Sequence, residues 1–66
     1  MTHLENCINK FENMIGDMYY YGCMSTNDIQ KTALMYFKHF IDNEEIEIQK
    51  VINIVNNEIN RLIDLD

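Results

Sequence analysis

The chain predicts an all-α fold, a small three-helix bundle, and three observations carry that prediction. Apolar residues recur at steps of three and four along most of the chain, the spacing of one face of an α-helix. Proline is absent and glycine occurs only at Gly16 and Gly22, so few positions can interrupt a helix. The 66 residues are 47% hydrophobic, enough for one small core and too few for a second domain.

The first helix is expected over 3–21. Thr2 and Glu5 have the spacing of a capping box, in which hydroxyl and carboxylate satisfy free backbone N–H groups at a helix start. Leu4, Ile8, Phe11, Ile15 and Met18 then form a stripe flanked by Cys7, Met14 and Tyr19. Glu5, Asn6, Asn9, Glu12, Asn13 and Asp17 take the opposite face, together with Gly16. Gly22 suits the left-handed position that closes such a helix.

The second helix is expected over 26–42, capped by Ser25, Thr26 or Asn27, with Asp28 favourably placed near the positive end of the helix dipole. It carries two apolar stripes, Ile29–Ala33–Tyr36–Phe40 and Leu34–Phe37–Ile41, so it must touch two neighbours. The third helix is expected over 43–65. Its stripe of Ile48, Val51, Ile52, Val55, Ile59, Leu62 and Ile63, with Leu65 at its edge, fits a period of 3.6 and not the period of 2 that a strand requires.

Asp42 and Glu45, spaced as a second capping box, favour a break between helices two and three. Glu44 and Glu47 would also interrupt the apolar seam of an unbroken rod. The alternative architecture is one helix plus a long continuous helix that dimerises to bury its seam. The expected core is Leu4, Ile8, Phe11, Ile15, Ile29, Ala33, Phe40, Val51, Val55, Ile59 and Leu62.

Five basic residues against eleven acidic ones give a net charge of −6, which argues against direct grip on nucleic acid phosphates. No apolar run approaches the ~20 residues of a membrane span, and the start lacks the basic and apolar regions of a signal peptide. The two cysteines are too few for a disulfide scaffold. The expectation is a soluble cytoplasmic protein that does not act at a membrane.

Chemistry-bearing motifs are sparse. His3 and Cys7 share a helix face, but Cys23 and His39 lack the paired short spacing of zinc ligands, so no metal site is read. Nothing near either thiol in sequence would activate it as a nucleophile. No Gly-rich phosphate loop or triad pattern occurs. The chain is therefore read as non-enzymatic, with no catalytic residue, cofactor or metal.

What stands out is the run Tyr19, Tyr20, Tyr21, joined by Leu34 and Met35, which turn away from the Ile29–Phe40 stripe. Tyrosine and methionine are enriched where proteins meet. Acidic charge gathers toward the C-terminal third, where Glu44, Glu45 and Glu47 crowd one helix start and Glu58, Asp64 and Asp66 follow. Together these predict a protein-binding regulator or inhibitor whose partner has a basic surface. Nine Asn and ten Ile against one Ala and one Arg point to an AT-rich genome, which favours a phage protein acting in the host cytoplasm on a defence or nucleic-acid-handling enzyme. The alternative is a homo-oligomeric helical module, a homodimer in its simplest form.

Overall fold

Apolar stripes at helical spacing can leave water only by packing on one another, and in this chain they do so as four helical segments in three arms. The computed structural model describes residues 2–65, the side chain of Leu65 excepted. It consists of α1 (His3–Tyr20), α2 (Thr26–Tyr36), α3 (Lys38–Asp42) and α4 (Ile48–Leu65), with no strand among the described residues. This is a small all-α bundle. The chain folds back before α4, so the long continuous rod is not the structure adopted. Asp66 and the Leu65 side chain lie outside the described residues.

Thr2 caps α1 as its spacing predicts: its Oγ1 accepts a hydrogen bond from the Glu5 N–H at 3.1 Å. The far end of α1 corrects the reading of Gly22. The left-handed residue is Cys23, with φ 50°, and Gly22 has no positive φ. Gly22 is needed for a different reason: a Cβ there would stand 2.9 Å from the Met18 carbonyl oxygen. That carbonyl accepts from the Met24 N–H at 3.1 Å, which turns the chain toward α2.

Ser25 caps α2, its Oγ accepting from the Asp28 N–H at 3.2 Å. The expected second helix is interrupted at Phe37, whose backbone leaves helical geometry (φ −95°, ψ 9°). The interruption loses few hydrogen bonds, because the Phe37 N–H still reaches the Ala33 carbonyl and its own carbonyl accepts from Ile41, both at 2.9 Å. Its side chain is fully buried. The Phe37 ring meets Phe11 edge-on at 5.5 Å and lies 6.3 Å from Phe40.

The expected start of the third helix at Asn43 is corrected by five residues. Glu45 N–H donates to Phe40 O at 2.8 Å and Glu44 N–H to Ile41 O at 3.0 Å, the paired bonds of a Schellman motif that ends α3. The motif needs a left-handed residue, and Glu44 supplies it with φ 60°. Asp42 therefore ends a helix instead of opening one, and its carboxylate accepts from Lys38 Nζ at 2.9 Å. Beyond the turn Ile46 is buried, and the Glu47 carbonyl takes the first helical bonds of α4 from Lys50 and Val51.

Cross-links between arms fix their directions. Tyr20 meets Leu62 and Glu12 lies beside Ile54 and Asn57, so α1 and α4 run parallel. Gln30 bonds Asn56 and the Tyr36 ring packs at a tilt on Phe11, so α2 runs antiparallel to both. The buried core is Phe11, Ile15, Ile29, Ala33, Phe37, Phe40, Ile46, Val51, Val55, Ile59 and Leu62. Leu4 and Ile8, expected inside, are half-buried and pack against its edge. Phe37 and Ile46 take their place.

Candidate functional site

The residues singled out from sequence do not form one patch. Tyr19, Tyr20 and Tyr21 end α1, and their exposures diverge because successive helical positions point about 100° apart. Tyr19 is half-buried, packs on the core and meets the Tyr20 ring edge-on at 5.4 Å. Tyr20 spans to the last arm, its hydroxyl donating to the Leu62 carbonyl at 3.1 Å. Tyr21 is free of the core and 86% exposed.

The structure also separates Leu34 from Met35. Leu34 is half-buried against the core, whereas Met35 is 78% exposed. Tyr36, next to Met35, packs against Phe11, nine residues before Tyr20, so Met35 sits roughly 13 Å along the bundle from the tyrosine end. Other large apolar side chains are also exposed: Met14 on α1, Tyr36 on α2, and Ile48 and Ile63 on α4. Sequence reasoning placed Ile48 and Ile63 in the apolar stripe of the third helix but not in the expected core. They lie near the two ends of α4, at the margin of the stripe whose centre, Val51, Val55, Ile59 and Leu62, is buried.

Glu44, Glu45 and Glu47 are all exposed, and they lie in the connection before α4 instead of on a helix face. With Asp42 they put four carboxylates at the end of the bundle that also holds the start of α1. One of them, Asp42, is paired with Lys38. The remaining three, expected at a helix start, lie on the connection that the Schellman turn opens.

The two thiols and two imidazoles do not gather into one site. His3 Nε2 lies 3.9 Å from Cys7 Sγ, and the His3 ring packs 5.6 Å from that of Phe40. Cys23 follows the opposite end of α1, about 27 Å away for a helix of that length. His39 bonds Asn43 at 3.1 Å. Among the described residues no three His, Cys, Asp or Glu side chains gather closely enough to hold a metal ion. No helix there is long and apolar enough to cross a membrane.

Between α1 and α4 lies a concave feature that sequence reasoning did not find. Glu12 on α1 and Ile54, Asn57, Glu58 and Arg61 on α4 line an open groove of about 250 Å³. Within it the Arg61 guanidinium donates through both Nε and a terminal nitrogen to the two oxygens of Glu58. The hydrogen bond and charge of Glu58, with a further contribution from the charge of Glu12, hold that guanidinium above its ordinary pKa. The signal was present as Glu58 and Arg61 three apart on one helix face. What was missing was the knowledge that α1 runs parallel to α4 and brings Glu12 alongside.

Compared with models of protein families, with curated proteins and with solved structures, the chain matches none.

Proposed function

We propose that this protein is a non-enzymatic regulator or inhibitor that works by binding another protein with a basic surface. The observation that supports this most is the pairing of a closed core with large apolar side chains left outside it. The core is complete without Tyr21 and Met35, yet both stand almost fully in water. A chain this small has little stability to spare, and exposed aromatic and methionine side chains are typical anchors of interfaces. The net charge of −6 adds long-range attraction toward a basic partner and speeds encounter. A phage origin and a host enzyme as target belong to this proposal and rest on amino-acid usage alone.

The test is capture from a host lysate, with and without nuclease, by the tagged wild type and by the double variant Tyr21→Ala, Met35→Ala. A stoichiometric, nuclease-resistant partner that the wild type holds and the folded double variant loses is the expected result. Equal capture by both proteins contradicts the surface assignment. Recovery of the bait alone, at a mass above one chain, favours the homo-oligomeric module instead.

A further inference from the structure

Gly16 occupies the interior of α1, where glycine weakens a helix relative to alanine, and packing within the chain gives no reason for it. A Cβ built there would meet nothing within 4 Å. Gly16 lies four residues beyond Glu12, on the same helix face, so it continues the α1 wall of the groove toward the tyrosine end. The Tyr20 hydroxyl on the Leu62 carbonyl bridges the two arms there. From Glu12 to Tyr20 the wall is roughly 12 Å long, a little over two helical turns. Asn56, which faces α2 through Gln30, points almost opposite to Ile54, so the groove opens on the side that α2 leaves uncovered.

The charges of the groove are unbalanced. Arg61 is already held by both oxygens of Glu58. Glu12 is half-buried, and the ion pairs among the described residues, Lys38–Asp42 and Glu58–Arg61, do not include it. Glu12, Glu58 and Arg61 together leave one negative charge in the groove. An open groove of about 250 Å³ is small for a site that must enclose a small molecule, whose pockets run from roughly 300 to 1,000 Å³. Its α1 wall, a little over two helical turns long, matches the length of a short helix laid along it.

We infer that the α1–α4 groove docks an amphipathic helix of a partner protein, which sets a lysine or arginine against Glu12 and brings its backbone close over Gly16. This rests on the proposal that the chain is a protein-binding regulator, and it adds a site and the chemistry of the partner. A cationic helix fits better than a second copy, because two grooves that each carry surplus negative charge, on chains of net charge −6, repel one another.

The probe is a synthetic amphipathic helix of leucine, alanine and lysine, titrated into the full ¹⁵N-labelled chain and followed by NMR. Saturable shifts centred on Glu12, Gly16, Ile54, Asn57 and Arg61 are expected. Gly16→Ala raises the Tm by about 4–8 °C, as a helix-interior glycine whose added Cβ meets nothing predicts, yet weakens peptide binding. Gly16→Leu leaves the helical CD signal intact and weakens binding about tenfold or more, because the added side chain fills the approach. Glu12→Gln weakens binding and reduces its salt dependence. A Gly16→Ala chain that gains stability and binds equally well overturns the proposal. So do shifts confined to Glu44–Glu47 or to the tyrosine end, an outcome that leaves the broader protein-binding proposal standing. Groove shifts that grow with protein concentration before peptide is added overturn it in favour of a second copy. No binding at all also overturns it, while capture from lysate remains the separate test of the function.

Discussion

The Tyr20 hydroxyl donates to the Leu62 carbonyl at 3.1 Å, so the last turn of α1 is tied to that of α4 across 42 residues of sequence. A tyrosine that looks from sequence like a spare interface residue thus serves the fold. Tyr20→Phe keeps the ring and its edge-on contact with Tyr19 and removes this bond. The expected cost is about 1 kcal/mol, or a Tm lower by roughly 4–8 °C in a chain of this size. A thermal melt followed by CD checks it.

Glu44 holds a left-handed conformation that costs a non-glycine residue about 1–2 kcal/mol. Glu44→Gly keeps the Schellman turn and removes that cost. The variant is expected to gain about 1 kcal/mol, less the extra entropy of its unfolded state, with no change in the NMR contacts between α3 and α4. Denaturant titration gives the sign directly.

Ile46 and Leu4 reverse the order of importance that sequence assigned them. Ile46→Ala empties a buried site and is expected to cost about 2–5 kcal/mol, enough to unfold much of the population. Leu4→Ala acts at a half-buried position and should cost clearly less. Urea midpoints of the two variants decide between them. A larger loss at Leu4 would mean that the start of α1 is more deeply packed than its exposure shows.

Much of this was legible from sequence, because local chemistry and tertiary packing agree along most of the chain. Thr2 and Ser25 cap the helices their spacing announces, and the stripe through Val51, Val55, Ile59 and Leu62 faces the core. The misreadings fall where a residue does something its type disfavours. Cys23 and Glu44 take left-handed backbone that glycine usually supplies, so the turns around them carry no glycine signal at the residue that bends. Residues 43–47 read as a helix start because glutamate favours early helical turns. The bonds from Glu44 and Glu45 back to α3, with Ile46 drawn into the core, override that preference. The groove was invisible for another reason: which face of α1 meets which face of α4 depends on arm directions, which no local pattern encodes.

Tyr21 and Met35 are expected to matter little to the fold. Substituting both with alanine should leave the free energy of unfolding within about 0.5 kcal/mol of wild type, the range typical of surface changes away from buried networks. Tyr20→Ala with Leu34→Ala, by contrast, should destabilise, since one residue bridges two arms and the other packs on the core. Parallel melts of the two double variants separate residues that serve the fold from residues left for a partner.

The central claim is that one chain completes its own core and keeps its remaining apolar side chains for another protein. Thermal unfolding by CD across a hundredfold range of protein concentration tests this most directly. A self-sufficient monomer gives the same Tm throughout. A Tm that climbs with concentration would show that the fold is completed by further copies of itself, and the homo-oligomeric module would replace the regulator.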